Sequence, residues 1–145
     1  MPQPHPIVAC ARSWVGTRFH HQGRVKRSRS HRGGVDCLGL LVGVAGELAL
    51  ALASADERDY SHQPDHARLR RRLAELLKEL PKAHMAPGDI VLLNIAGNPQ
   101  HLGIVSDDAQ ALGLIHAYAP AKAVVEHRLD GWWEARIEAV FRVEN

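Results

Sequence analysis

The sequence predicts an α+β domain, with helices first and a small antiparallel sheet afterwards. Two observations carry this prediction. Before Pro81 apolar residues recur at helical spacing, and after it they fall into short strand-like runs separated by turn residues. Length bounds the number of domains: 145 residues can enclose one core but not two of ordinary size, so residues 1–145 are expected to form a single domain.

The first helix is expected from Pro6 to about Gly16. Ile7, Cys10, Ala11, Trp14 and Val15 lie three or four positions apart, Pro6 suits a first turn, and Gly16 suits an end. Cys10 falls on the apolar face and reads as packing. The polar stretch from Thr17 to Gly34 reads as a long loop, either locally disordered or the rim of a site. Asp36 is a favoured N-cap, which places Cys37 in the first turn of a helix running through Leu40, Leu41, Val44, Leu48 and Leu52. A further amphipathic helix carries Leu69, Leu73, Leu76, Leu77 and Leu80 on one stripe and stops at Pro81. The strands follow as "DIVLLN", "HLGIVS", "LGLIHAYA", "KAVVEHRL" and "IEAVFRV", with "NPQ" and "DDAQ" as turns. Trp132 and Trp133 sit before the last strand and read as closing the end of the core.

Composition narrows the function. With 46% hydrophobic and 23% charged residues the chain is not disordered on a large scale. Arginines crowd at positions 24–32 and 68–72, yet the net charge is only +2 and no nucleic-acid-binding motif accompanies them. They read as solvated faces, and no nucleic-acid partner is expected. The N-terminal "MPQPHPIVACARSW" lacks the pattern of a secretory signal, so synthesis in the cytoplasm is expected. The longest apolar run, Leu38 to Ala53, is broken by Glu47 and three glycines, and no membrane span is expected. Two cysteines cannot build a disulfide framework, and the ten histidines show no metal-ligand spacing, so no metal is expected.

The chemistry concentrates in "HRGGVDCLGL". A helix N-terminus presents unpaired N–H groups and partial positive charge, which favour a thiolate at Cys37 and can hold the oxyanion formed when that thiolate attacks a carbonyl. Gly33 and Gly34 allow a substrate backbone to approach. A thiol also needs a base. His101 opens a strand just past a turn, and His116 lies in the next strand, where antiparallel pairing can bring the two rings together so that one orients the other. The remaining histidines, His127 among them, read as ordinary surface or core residues, although His20 and His21 can border the site.

The ordered pieces "GTRFHHQG", "VDCLGL", "PGDIVLL" with "HLGIV", and "IHAYA" resemble the NlpC-type cell-wall cysteine peptidases. These are the papain-like endopeptidases of bacterial peptidoglycan, and the likeness is greatest to their bacteriophage-tail branch. It spans about Ala9 to Tyr118. The resemblance implies a papain-like fold, with helices packed on a small antiparallel sheet and the nucleophile at a helix N-terminus. It implies Cys37 as nucleophile, His101 as general base and acid, and His116 as the orienting group. Phe19, His20, Gly34 and Asp36 would border the site or bind substrate, and no cofactor would be used. The implied substrates are peptidoglycan stem peptides, often cut beside a D-isoglutamyl residue. Other phage tail proteins would be partners, with the protein in a virion tail acting at the cell wall. Two positions depart from the family pattern: Leu38 stands where many members have serine, and Phe19 where tyrosine is common. Two alternatives stay open: a weakly active or inactive tail-assembly or wall-binding module, and a cysteine-dependent acyltransferase or amidase acting on another substrate.

Overall fold

Pro6 opens the first helix, α1 (Pro6–Arg12), and the His5 ring caps it by accepting the Ile7 N–H at 3.1 Å. The computed structural model describes residues 5–56, 66–95, 98–109 and 111–144. In chain order there follow β1 (Arg24–Val25), β2 (Gly34–Val35), α2 (Cys37–Glu47), α3 (His66–Leu76), β3 (Lys78–Leu80), β4 (Ile90–Ile95), β5 (Asn98–Asp108), β6 (Ala111–Tyr118), β7 (Ala123–Arg128), α4 (Gly131–Glu134) and β8 (Ile137–Arg142). The stretch read as a loop is structured in part. Strands β1 and β2 pair antiparallel, Phe19 bridges Val35, and Arg18 bridges Ala123.

The six-stranded sheet has the order β3-β8-β4-β5-β6-β7, and every neighbouring pair is antiparallel. Its strands alternate apolar residues between two faces. Leu102, Ile104, Ile115 and Ala117 join Val8 of α1 and Leu40, Leu41 and Val44 of α2 in the main core. Val91, Leu93, Val105, Leu114 and Val140 form a second cluster, against which Trp133 packs. None of the described helices is long and apolar enough to cross a membrane.

Several boundaries differ from the sequence reading: the first helix, expected to about Gly16, ends at Arg12, and Asp107 and Asp108, expected as part of a turn, belong to β5. The helix expected to run to Leu80 ends at Leu76, because Lys78–Leu80 pairs with β8, Leu80 opposite Val140. Asn98–Gln100, expected as a turn, belong to β5, with Asn98 opposite Ile95. The helix expected to reach Leu52 ends at Glu47, and Leu52 lies in a separate 3₁₀ turn, Ala51–Ala55. This last stop is a Schellman motif. The Leu50 N–H donates to Ala45 O at 2.8 Å and the Ala49 N–H to Gly46 O at 3.2 Å, with Ala49 left-handed at φ 55°. Glycine is the usual residue there because a β-carbon is strained at positive φ. Ala49→Gly is therefore expected to stabilise the protein by roughly 0.5–1 kcal/mol, read as a higher urea midpoint with unchanged slope.

Candidate active site

Asp36 builds the site's first half. One carboxylate oxygen accepts the Gly39 N–H at 2.8 Å, which caps α2, and the other accepts the Gln22 N–H at 2.8 Å. Arg24 donates to the first oxygen at 3.2 Å and reaches on to Asp56 at 2.8 Å. Asp36 is only 4% exposed, so a single buried charge both starts the helix and ties the 22–24 segment to it. Gly39 permits that closeness, because a β-carbon there would lie 2.1 Å from the Gly23 carbonyl oxygen. Gly34 is buried in β2, Phe19 packs partly buried against the main core, and His20 is exposed, its Nδ1 2.9 Å from the His21 carbonyl.

Cys37 follows Asp36 in the first turn of α2 and is half-buried. The β5–β6 register begins at Ile104 opposite Ile115, so His101 to Gly103 stand beyond that ladder. There the Leu102 N–H bonds the Cys37 thiol. The expectation of a lowered thiol pKa is corrected by the structure: burial pushes Cys37 up to about 12, and the Asp36 carboxylate adds to the rise. The N–H groups of Leu102, Leu38 and Cys37 favour the thiolate, but they do not outweigh burial. Cys10 is also raised, to about 11, by burial and by its hydrogen bond to Glu47 at 3.3 Å. Its packing against the core agrees with the sequence reading.

The second half is a chain of imidazoles. His101 Nε2 lies 2.6 Å from His116 Nδ1, and His116 Nε2 lies 2.8 Å from His127 Nε2. His127 Nδ1 is 2.9 Å from the Arg128 carbonyl oxygen. That last contact fixes the direction of the whole chain. A carbonyl only accepts, so His127 Nδ1 carries the hydrogen and, in a neutral ring, its Nε2 accepts from His116 Nε2–H. His116 Nδ1 then accepts from His101 Nε2–H. The lone pair of His101 Nδ1 is left as the one basic nitrogen not used within the chain. Sequence reasoning paired His101 with His116 but assigned His127 no role. Its signal lay in strand register: His116 pairs with Val125 and Leu114 with His127, so His116 and His127 are diagonal neighbours on one face. Tyr118 stacks on His116 with centroids 5.0 Å apart, and Trp133 lies 5.0 Å from His116 and 4.7 Å from His127. Trp133 thus covers the imidazoles as well as the end of the core.

His101 and His116 are 6% and 0% exposed. Burial lowers His101 to about 4, and burial with the neighbouring rings lowers His116 to about 2. Both rings are neutral at pH 7. The unfolded chain takes up protons below about pH 6.5 that the folded chain refuses, so stability is fully present above that pH and is lost as pH falls. For His101 alone the expected loss between pH 6.5 and 4 is about 3 kcal/mol, with His116 acting in the same direction, read from urea midpoints across that range.

Residues 16–141 match the family model described as NlpC/P60 family. The chain belongs to the NlpC/P60 family. Solved structures repeat its fold at low identity. The NlpC/P60 domain of the peptidoglycan hydrolase SagA matches with a TM-score of 0.63 and 17% identity, over 95% of this chain and 97% of that one. The P60 domain of an antigen from M. avium subspecies paratuberculosis matches with 0.61 and 13%, over 96% and 93%. An N-acetylmuramoyl-L-alanine amidase from Bacteroides uniformis matches with 0.58 and 16%, over 97% and 98%. No curated protein sequence gives a significant match. The papain-like arrangement of this NlpC/P60 chain, helices on an antiparallel sheet, agrees with the sequence reading.

Proposed function

We propose that this NlpC/P60 protein is a cysteine peptidase or amidase that hydrolyses amide bonds in peptidoglycan stem peptides. Cys37 is the nucleophile, His101 the general base and then acid, His116 the orienting group, and His127 the anchor of the chain. The observation that carries the reading is the direction of the imidazole chain, which leaves His101 Nδ1 as proton acceptor beside the residue whose N–H bonds the Cys37 thiol.

With a neutral thiol and a neutral imidazole at rest, the proton passes from Cys37 Sγ to His101 Nδ1 as the sulfur attacks the amide carbon. His116 Nδ1 accepts from His101 Nε2–H throughout and steadies the imidazolium. The Cys37 and Leu38 N–H groups at the start of α2 are donors for the oxyanion. Collapse of the intermediate expels the amine, which takes its proton from His101 Nδ1–H and leaves a thioester on Cys37. Water, deprotonated by His101, then releases the acid and regenerates the thiol.

Incubation with purified muropeptides tests the reading. Release of new amino groups is expected, and a protein that binds muropeptides without releasing any would be a wall-binding module. The high Cys37 pKa and the presence of Phe19 and Leu38 are what favour that second reading. His127→Phe should keep the packing on Trp133 but free the chain's anchor. The expected result is kcat lower by roughly tenfold at unchanged KM. The run Cys37-Leu38-Gly39-Leu40 supports placing the protein in a phage or prophage tail, which detection of the chain in purified virions would test.

A further inference from the structure

Arg18, Arg27, Arg29, Arg32 and Lys122, together with His31, line a surface cavity of about 570 Å³ between the 26–32 loop and the start of β7. No carboxylate lines it, and none of these five cations forms an ion pair among the described residues. Lys26, in the same loop, makes the contrast. It turns away to Glu47 at 3.0 Å. Nor is the loop loose. The Ser28 N–H donates to His31 O at 2.8 Å, the Gly33 N–H to His31 Nδ1 at 2.7 Å, Arg18 Nε to Gly33 O at 3.2 Å, and Arg27 Nε to Val15 O at 3.1 Å.

Gathering five like charges around one cavity without counterions costs self-repulsion that a bound anion would relieve. Guanidinium forks match oxyanions in pairs of hydrogen bonds. Linked phosphates set single charges, each with two free acceptor oxygens, at short regular spacing along one chain, and terminal phosphates carry up to two, so one ligand can meet several of the five cations at once. We propose that this cavity binds a phosphate-bearing polyanion other than a nucleic acid, at a site distinct from Cys37 and the imidazole chain, none of which lines it. The proposal does not rest on the hydrolytic reading. Two sources share the chemistry: a phosphodiester polymer of the cell wall and a free condensed phosphate.

Calorimetric titration of the full chain with inorganic tripolyphosphate and with a glycerol-phosphate oligomer tests it. Saturable binding that weakens with added salt is expected for at least one of the two. Tighter binding of the oligomer assigns the wall polymer, and tighter binding of tripolyphosphate assigns the condensed phosphate. The triple variant R29Q/R32Q/K122Q should lose at least tenfold in affinity, and Lys26→Gln should lose none. Undiminished binding by the triple variant, or binding of the unsubstituted protein that ignores salt, would overturn the proposal. So would citrate binding as tightly as tripolyphosphate, or single-stranded DNA binding more tightly than either phosphate probe. Cys37 and the histidines are unchanged in these variants, so failure of the muropeptide assay and failure of this site are read separately.

Discussion

Cys37→Ala is expected to lower muropeptide hydrolysis by roughly 10³-fold or more while the thermal midpoint moves by only a few degrees. The variant removes the atom that bonds to carbon in the first step, and it takes only that one side-chain atom from the packing. Liquid chromatography of digested muropeptides gives the rate and circular dichroism the fold. Hydrolysis equal to that of the parent would end the assignment of Cys37. The pH profile supplies a second reading of the same centre. His101 must be unprotonated to act as base, and its pKa is about 4, so kcat/KM should fall only below about pH 5 and stay level through neutrality. The thiol, at about 12, should react slowly with iodoacetamide at pH 8. A thiolate–imidazolium pair formed at rest would react fast with iodoacetamide and would lose kcat/KM on the alkaline side, as the imidazolium deprotonates.

The second large effect belongs to Asp36. Asp36→Ala removes the cap of α2, leaves the Gln22 N–H without its acceptor, and takes one of two carboxylates from Arg24, whose side chain is 8% exposed. Losing one partner of a buried pair costs about 3–5 kcal/mol, and the cap and amide losses overlap with that figure instead of adding to it. A destabilisation of about 3–5 kcal/mol is expected from urea unfolding. Asp36→Asn keeps a cap oxygen and should lose less. If Asp36→Ala costs under about 1 kcal/mol, the carboxylate does not organise this end of the helix.

Much of this was legible in the chain because the signals were local. Asp36 three residues before Gly39 marks a helix start, and the alternation in "IEAVFRV" marks a strand whose Ile137, Ala139, Val140 and Phe141 are buried. His101 and His116 could be paired because they sit in consecutive strands. What was missed depended on distant partners or on backbone conformation. Leu77 and Leu80 continue the helical stripe of α3, but strand β8, some 60 residues later, claims Leu80 for the sheet. Ala49 takes the left-handed conformation without the glycine that would announce it. His127 became part of the site through a register that no single segment specifies. The thiol pKa was misread because the helix end is visible in sequence and the depth of burial is not.

Strand β8, residues 137–142, is inserted between β3 and β4 and bonds to both. A ribosome must therefore deliver residues up to about position 142 before the sheet can close. Until then β3 has no partner and one edge of β4 is unpaired, whereas β4 to β7, which carry His101, His116 and His127, can already pair with one another. Deleting residues 137–142 would accordingly remove an interior plank of the sheet.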